Sequence, residues 1–315
     1  MNKITVIGTG SVGSTIAYTL TIQGLASEIV MIDINGEKAL GEALDIRQGT
    51  PFCNPCTIYA GDYADAAGSD IVVITSGLAR KPGQTRLDLA QANVNVLKSI
   101  TPNITKYAPD ATYVIVSNPV DVLTYAFHKY SGIPEERIIG SGTILDTARL
   151  RSRISEYYSV NQHNVHAYVL GEHGDSSFVP WSIANISNVP VEKFGQSLQT
   201  NVDTMYPDLN LDEVEDYVRK SGAQVIQRKG ATFYAVSMSV CHICKCLLSG
   251  IDTNLTVSTM LHGEYGIDDV CLSLLTVVGH KGAHSKILLP LSDSEIKSLH
   301  ASADCLKNII NNITL

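Results

Sequence analysis

The first half of the chain alternates short apolar segments with amphipathic segments, and this alternation constrains the fold more than any other feature. Strands are predicted at Ile4–Ile7, Glu28–Asp33, Thr57–Ala60, Ile71–Thr75, Thr112–Ser117 and Ile138–Ile139, and helices at Val12–Gln23, Glu37–Gln48, Leu87–Lys106 and Val120–Tyr130. Segments such as "DIVVIT" and "TYVIVS" are apolar almost throughout, as strands are when helices cover both faces of a parallel sheet. The pattern therefore predicts an α/β fold with a doubly wound parallel sheet.

The second half has a different order of segments, which predicts a mixed α/β domain. Helices are predicted at Thr143–Tyr158, Leu211–Arg228 and Ala231–Leu248, strands at Val165–Leu170, Leu255–Met260 and Val270–Val278, and a last helix after Ser292. Ser292 and Glu295 fit a capping box at the start of that last helix. We place the boundary near Gly140, between one domain at residues 1–140 and a second at residues 141–315.

Composition limits the partners and the compartment. The formal net charge is −8 and the pI about 5.5, which argues against a general binder of nucleic acids or membrane surfaces. Nothing at the N-terminus resembles a signal peptide, and no apolar run approaches the ~20 residues of a membrane span. We therefore expect a cytoplasmic protein with no nucleic acid or membrane partner.

Seven cysteines raise the question of a metal site. Cys53 and Cys56 flank a proline loop, whereas Cys241, Cys244 and Cys246 fall in a mostly apolar predicted helix. A structural zinc needs four well-aimed ligands, and nothing in the sequence arranges these two groups around one ion. We therefore predict reduced, mostly buried thiols and no metal.

A glycine-rich turn follows the first predicted strand. In "ITVIGTGSVGSTIAYTL", Gly8 permits a tight turn, Gly10 lets the backbone approach a pyrophosphate, and Gly13 allows close helix packing. Asp33 ends the next predicted strand, where a carboxylate would bind the adenosine ribose and repel a 2′-phosphate. The context of strand, turn, helix and acid predicts a Rossmann-type site for NAD rather than NADP.

Candidate catalytic and substrate-binding residues lie on one loop, one helix and one turn. The stretch "GEHGDSS" presents His173, "GSGTILDTARLRSR" supplies Asp146 and Arg149, and "SGLARKPGQTRLDL" carries Arg80 and Arg86. Spacing alone favours a simple ion pair between Asp146 and Arg149, and a lone histidine is most often structural. The two loop arginines could bind one substrate, two substrate groups or nothing.

At this point the chain resembles the L-lactate and malate dehydrogenases, over essentially its whole length. The matching stretches are "GTGSVG", "RKPGQTRLDL", "VSNPVDVLTY", "GSGTILDTARLR", "GEHGDSS" and "KGATFY", in the order of the family. The resemblance implies an enzyme that transfers a hydride between NADH and a small 2-oxo acid. An NAD-binding protein without activity would leave all these candidate residues idle.

The resemblance also implies roles. His173 would exchange a proton with the substrate 2-oxygen, and Asp146 would hold its tautomer and stabilise the imidazolium. Arg149 would bind the substrate carboxylate, and Arg86 would polarise the carbonyl as the loop Gly77–Arg86 closes. Asn118, Arg80 and Thr232 would contact the substrate. The residues expected to contact NAD are Gly8, Gly10, Val12, Gly13, Asp33, Lys38, Tyr63, Gly77, Ser99, Val116, Asn118 and Val236.

Residues at the substrate position favour different acids. Arg80 matches malate members, in which an arginine pairs the second carboxylate, and burying it unpaired beside pyruvate would be costly. Glu172 and Thr232 match lactate members instead. Arg151 and His166 match the residues that bind fructose 1,6-bisphosphate in allosteric bacterial lactate dehydrogenases. We therefore expect interconversion of pyruvate and L-lactate, with oxaloacetate and malate as the alternative and a broad 2-oxo acid reductase as a third.

The same resemblance bears on assembly. It implies a homodimer or a homotetramer, and because the first predicted strand begins at Ile4 we expect no N-terminal arm that embraces other subunits. Arginine and histidine facing a twofold partner would form a clamp for the bisphosphate. The simpler interpretation of Arg151 and His166 is two ordinary surface cations.

Overall fold

The first six strands lie side by side in a doubly wound order. A computed structural model describes residues 2–79, 83, 85–198 and 209–315. The six strands are β1 (Lys3–Ile7), β2 (Glu28–Ile32), β3 (Thr57–Ala60), β4 (Ile71–Ile74), β5 (Thr112–Ile115) and β6 (Ile138–Gly140). They are parallel and lie in the order β6-β5-β4-β1-β2-β3. The predicted doubly wound sheet is confirmed, and its strand order reverses at β1 and β4, where such sheets bind ligands.

Helices cover both faces of this parallel sheet. The first four are α1 (Ser11–Gln23), α2 (Gly36–Gly49), α3 (Arg86–Tyr107) and α4 (Val120–Ser131). Successive strand residues point to opposite faces, so that Ile4 and Val6 join one buried cluster while Ile7 joins the other. The clean separation of the two clusters explains why the strands are apolar throughout.

The second half adds five helices and six strands to the described part of the chain. The helices are α5 (Ile144–Tyr158), α6 (Val191–Ser197), α7 (Leu211–Lys229), α8 (Tyr234–Leu247) and α9 (Asp293–Asn311). The strands are β7 (Val165–His166), β8 (Asn185–Ile186), β9 (Val189–Pro190), β10 (Thr253–Glu264), β11 (Ile267–Gly279) and β12 (Gly282–Lys286). Short 3₁₀ helices occur at Thr50–Phe52, Tyr63–Ala66, Glu135–Arg137, Gln162–Asn164 and Trp181–Ile183.

The main sheet continues past the predicted boundary near Gly140. Ser258 of β10 pairs antiparallel with Gly140 of β6, and β11 and β12 extend the sheet further. Helix α8 packs against α1, so the second half also completes the core over the first strands. Both halves therefore share one continuous sheet and its two cores.

The predicted strand Val165–Leu170 is mostly wrong, since only Val165–His166 is a strand. Side chains of α5 bind the backbone that follows. Arg151 Nε donates to the carbonyl of Ala167 at 3.0 Å, and Val169 N donates to Thr147 Oγ1 at 2.9 Å. The backbone of Ala167 and Val169 therefore bonds to side chains of α5, and Leu170 forms only an isolated antiparallel bridge with Phe178.

Two helices that support the site have capping boxes. At the start of α9, Ser292 and Glu295 form the predicted box, and at the start of α3 Thr85 and Asp88 form another. Within the described ranges, no helix is long and apolar enough to cross a membrane. The same ranges hold no group of three His, Cys, Asp or Glu side chains arranged for a metal.

Candidate active site

The loop between β1 and α1 forms a backbone cradle at the carboxyl end of the sheet. Gly8 has a φ of +97°, which side-chain-bearing residues rarely adopt, and a Cβ on Gly13 would lie 1.8 Å from the carbonyl oxygen of Gly8. A Cβ on Gly10 would meet nothing within 4 Å, so this residue faces open space before the N-terminus of α1. Open backbone at a helix N-terminus fits the pyrophosphate of a dinucleotide.

Asp33 follows β2 and is fixed against this cradle. Its Oδ2 accepts hydrogen bonds from Thr9 N at 2.6 Å and Thr9 Oγ1 at 3.1 Å, and its Oδ1 accepts one from Asn35 N at 2.9 Å. Burial raises the pKa of Asp33, but the hydrogen bonds from Asn35 and Thr9 outweigh burial, and the pKa lies below its usual value. The charged carboxylate keeps free lone pairs for ribose hydroxyls and would repel a phosphate.

A cavity of about 510 Å³ extends from this cradle into the second half of the molecule. The strand ends and loops of the first half form one wall, and α5, α7 and α8 form the other. The predicted site residues that line it are Val12, Gly77, Val116, Asn118, Asp146, Arg149, His173, Thr232 and Val236. These nicotinamide and substrate contacts therefore converge on one space.

A histidine, an aspartate and an arginine are linked at one end of this cavity. His173 Nδ1 lies 2.5 Å from Asp146 Oδ2, and Arg149 Nη1 donates to Asp146 Oδ1 at 2.8 Å. One carboxylate therefore binds both cations, and the Nε2 side of the imidazole is left to face a ligand. The ion pair expected from spacing exists, but it is part of a larger set that includes His173.

Electrostatics hold a proton on this histidine. The charge of Asp146 is the largest cause and, against the effect of burial, raises the pKa of His173 to about 9. Burial raises the pKa of Asp146, but His173 and Arg149 outweigh it, and the pKa lies below its usual value. At neutral pH the pair is an imidazolium and a carboxylate, ready to donate a proton to a developing oxyanion.

Arg86 is the first residue of α3 and does not line the cavity. Its Nη2 donates to Oδ2 of Asp175, two residues after His173, and this hydrogen bond raises the pKa of Arg86. The guanidinium is half-exposed at the cavity mouth, so polarising a substrate carbonyl would require it to turn inward. Arg80 lies outside the described residues, as does part of the predicted closing loop.

Three expected cofactor contacts belong neither to the cavity lining nor to the cradle of Gly8, Gly10, Gly13 and Asp33. Lys38 is exposed on the first turn of α2, where its charge lowers the pKa of Asp33. Tyr63 is half-buried against the core of the sheet. Ser99 is exposed on α3 and donates to the carbonyl of Val96 at 2.7 Å.

The two expected effector residues have different surroundings. Arg151 lines a second cavity of about 340 Å³, bounded also by His163, Tyr168 and His242. Its guanidinium lies 5.2 Å from the centre of the Tyr168 ring, and burial lowers the pKa of Arg151. His166, at the end of β7, is exposed and is not part of that lining.

Several residues that support the site were missed from the sequence. Asn93 of α3 binds both backbone groups of Leu78 and the carbonyl of Asn118, which fixes the loops on either side of the cavity. Arg219 of α7 also lines the cavity, and its Nε donates to the carbonyl of Ser177 at 3.3 Å. Nothing in the local sequence distinguishes Asn93 or Arg219 from ordinary polar helix residues.

Comparison with known proteins gives a consistent set of relatives. The family model for the lactate/malate dehydrogenase NAD binding domain matches residues 2–140, and that for the lactate/malate dehydrogenase alpha/beta C-terminal domain matches residues 143–314. An L-lactate dehydrogenase of Acetivibrio thermocellus is 45% identical over 315 residues, covering 100% of this chain and 98% of that protein. One of Clostridium botulinum is 46% identical over 310 residues, covering 98% and 96%.

Solved structures show the same similarity. A lactate dehydrogenase, MGS-M5, from a Medee basin deep-sea metagenome library superposes with a TM-score of 0.94 at 38% identity, covering 99% of this chain and 98% of the other. The minor L-lactate dehydrogenase of Enterococcus mundtii, in a ligand-bound form, gives a TM-score of 0.93 at 36% identity, covering 100% and 99%. Fold and sequence therefore agree over the full length of the chain.

Proposed function

The chain belongs to the lactate/malate dehydrogenase family, and from this premise we propose that it is an NAD-dependent L-lactate dehydrogenase that interconverts pyruvate and L-lactate. The observation that carries the proposal is the contact of His173, Asp146 and Arg149 in a cavity that also reaches the nucleotide cradle. The substrate is a small 2-oxo acid, and the partner in the reaction is the cofactor rather than a macromolecule.

The residues of the cradle fit NAD. The open backbone at Gly10 would receive the pyrophosphate, and the charged Asp33 would bind the ribose hydroxyls. Val12, Val116 and Val236 give the adjoining part of the cavity an apolar wall suited to a nicotinamide ring. When bound, the reduced cofactor supplies a hydride, and the residues described below handle the substrate and its proton.

His173 would provide the proton. In pyruvate reduction the 2-oxygen gains negative charge, and the imidazolium beside Asp146 would donate to it through Nε2. In lactate oxidation the neutral imidazole would accept the same proton, and Asp146 would stabilise the cation formed. Asp146 also fixes the tautomer, because Nδ1 is the ring nitrogen that faces it.

Arg149 would bind the substrate carboxylate. Its Nη1 is held by Asp146, and the side chain lines the cavity, where Gly222 of α7 places no side chain against its Nη2. The guanidinium therefore offers a free edge to the cavity, in the geometry that suits a carboxylate. Arg86 would leave Asp175 and approach the carbonyl as the loop closes over the substrate.

Pyruvate is favoured over oxaloacetate. The L-lactate dehydrogenases of Acetivibrio thermocellus and Clostridium botulinum cover nearly the whole chain, and Glu172 and Thr232 match the lactate pattern. Glu172 is buried and accepts hydrogen bonds from Ser176 N and Oγ, so it shapes the turn that carries His173. Arg80 is the residue that favours malate, and it would have to avoid the methyl group of bound pyruvate.

Steady-state oxidation of NADH with each acid tests the proposal. We expect kcat/KM for pyruvate to exceed that for oxaloacetate by at least about tenfold, equivalent to ~1.4 kcal/mol of transition-state binding. Arg80→Gln serves as the matched variant and should further weaken oxaloacetate while leaving pyruvate nearly unchanged. A preference for oxaloacetate in the unaltered enzyme would instead identify a malate dehydrogenase.

We further propose a homo-oligomer regulated by fructose 1,6-bisphosphate through Arg151 and His166. A half-buried guanidinium beside His163 is an attractive site for phosphate, but its Nε already donates to Ala167. Sedimentation and activity with and without the bisphosphate test this. A ligand-stabilised tetramer with higher activity would support it, and unchanged mass and activity would contradict it.

We also propose a cytoplasmic location, as part of fermentative or glycolytic metabolism. All seven cysteines are free thiols, which is the state expected in a reducing compartment. Fractionation of the source cells, with activity assayed in each fraction, tests this location. Activity confined to an oxidising compartment would contradict it.

A further inference from the structure

A second buried carboxylate contacts the backbone of His173. Asp121 is in the first turn of α4, and its side chain is buried. Its Oδ2 accepts a hydrogen bond from the backbone N–H of His173 at 2.8 Å. The histidine is therefore held at two points, its ring by Asp146 of α5 and its backbone by Asp121 of α4.

The surroundings of Asp121 make a charge there costly. The α4 residues Val120 to Phe127 are all buried, and burial raises the pKa of Asp121 to about 6. Its Oδ1 receives no hydrogen bond of normal length and angle from the described part of the chain. The hydroxyl of Ser258 and the N–H of His173 nevertheless favour the charged form. At neutral pH the group is ionised, with one oxygen poorly satisfied.

A purely structural role does not account for this arrangement. An asparagine has nearly the same shape, and its side-chain oxygen could accept the His173 N–H without burying a charge. What only the carboxylate supplies is negative charge close to the imidazolium. The charge of Asp121 adds to that of Asp146 in favouring the protonated ring.

We propose that Asp121 is a positioning residue, which fixes the turn that carries His173 and whose negative charge helps to keep the imidazole protonated. This inference rests on the proposed function, because it assigns a role toward the proton that pyruvate reduction consumes. Asp121 acts through His173 and does not line the cavity itself.

Other ionisable groups surround the pair. Asp146 and Arg149 face His173 from α5, Glu172 lies on the same turn, and Arg86 of α3 pairs with Asp175. Further ionisable groups lie on the elements packed against α4, and they include Asp88, Lys98, Lys106 and Tyr107 of α3, Tyr113 of β5, His262 and Glu264 of β10, Asp268, Asp269 and Cys271 of β11, and Asp293, Glu295, Lys297, His300, Asp304, Cys305 and Lys307 of α9, with Tyr125, His128, Lys129 and Tyr130 on α4 itself. Asp121→Asn leaves all of these groups in place, and Asp269 is the one exchanged in the control variant.

The test compares Asp121→Asn with Asp269→Asn in NADH-bound enzyme labelled with ¹³C-histidine. Asp269 pairs with Lys129 at the protein surface, so its exchange removes an acid from the same region without touching His173. The His173 signal is assigned from its loss in His173→Asn. We expect the titration midpoint of His173 to fall by about 0.5–1 pH unit in Asp121→Asn and to stay unchanged in Asp269→Asn.

Kinetics provide a second readout. In Asp121→Asn the alkaline limit of kcat/KM for pyruvate should move to lower pH by the same amount, because the proton leaves His173 earlier. A general loss of folding would lower activity at every pH and would not move this limit. If Asp121→Asn does not fold, Asp121→Ser, which is smaller and uncharged, replaces it in both measurements.

The outcomes separate the two proposals. An unchanged His173 titration in folded Asp121→Asn, with wild-type activity on pyruvate intact, overturns the role of Asp121 alone. A wild-type enzyme without activity on pyruvate overturns the proposed function. In that case a shifted His173 midpoint would still support the electrostatic role of Asp121.

Discussion

At the scale of single residues, His173 is the group on which proton transfer depends. Replacing His173 with Ala removes the proton donor but leaves the glycine cradle and Asp33 in place. We expect turnover to fall by about 10²–10⁴-fold while the dissociation constant of NADH changes little. Stopped-flow kinetics and NADH fluorescence measure the two effects.

The control for this variant is His280→Ala, which alters an exposed histidine at the turn between β11 and β12. It should match the wild type in both measurements. Turnover that survives in His173→Ala would show that another group supplies the proton, and the assignment of His173 would be wrong.

The raised pKa of His173 gives a prediction with a definite sign. Asp146 raises the pKa of His173 to about 9, so the imidazolium required for pyruvate reduction persists to alkaline pH. We expect kcat/KM for pyruvate to fall as the pH rises through about 9. In Asp146→Asn the charge is lost, so the fall should begin at lower pH, toward the ordinary range of histidine near ~6.5.

A pH–rate profile of both enzymes from pH 6 to 10 checks this expectation. The same raised pKa has a consequence for folding. Protonated His173 stabilises the native state, fully so below the unfolded pKa of ~6.5, and this contribution is lost as the pH rises through about 9. A pH–rate profile of Asp146→Asn that coincides with that of the wild type would contradict the proposed effect of Asp146 on the pKa of His173.

At the scale of elements, helix α9 supports the catalytic turn although it contributes nothing to the cavity lining. Ser302 Oγ accepts a hydrogen bond from Glu172 N at 2.7 Å and lies 3.0 Å from Ser176 Oγ. We expect Ser302→Ala to lower the free energy of unfolding by about 1–2 kcal/mol, because a buried N–H loses its partner. It should also reduce kcat severalfold by loosening the turn around His173.

Ser298→Ala is the matched control on the same helix. Ser298 is half-buried, and its Oγ donates to the carbonyl of Ser294 within the same helix, at 3.2 Å. Chemical denaturation and steady-state kinetics measure both variants. The free energy of unfolding and kcat should fall in Ser302→Ala and change little in Ser298→Ala. Equal effects of both substitutions would show that α9 as a whole, rather than this contact, sets the stability of the turn.

The sequence predicts the elements of the first half well because each has a strong local signal. The predicted strand Thr57–Ala60 matches β3 residue for residue, and each end of α1 to α4 lies within one residue of its predicted position. The local signal does not predict the structure where contacts with distant residues determine it. An example is residues 167–169, whose backbone binds side chains of α5 and Thr143. The antiparallel strand β12 was missed, since Gly282–Lys286 is short and mostly polar.

The candidate site likewise combines features that the local sequence predicts with contacts that it does not. The glycine cradle and the three-residue spacing of Asp146 and Arg149 are local and visible in the sequence. The contact of Asp146 with His173 spans 27 residues, and that of Asp121 with the same turn spans 52. Resemblance to the family suggests the contact between Asp146 and His173. The contact between Asp121 and the turn of His173 was not predicted. An acid within the apolar run "NPVDVLTYAF" was the one available signal for Asp121.

At the scale of the whole molecule, the two halves complete each other's cores. The buried cluster around Ile7 and Val30 also contains Leu272 of β11 and Leu299 of α9. The opposite cluster combines Ile16 of α1 with residues of α8. The division predicted near Gly140 thus falls within one continuous sheet, and shared burial couples the two halves.

This coupling predicts a single cooperative unfolding transition. Separating residues 1–140 would expose the apolar face of α4 and leave β6 as an unpaired sheet edge, at a cost of ~25 cal/mol for each Å² of apolar surface exposed. We expect calorimetry of the full chain to give a van't Hoff enthalpy within roughly 10–20% of the calorimetric one, provided that protein concentration is fixed. We expect the isolated fragment 1–140 to aggregate or remain largely unfolded. The contrary result would be two resolved transitions and a fragment 1–140 that binds NADH by itself. The nucleotide-binding half would then be stable without strands β10 to β12, and the pairing of Ser258 with Gly140 would join two independent domains.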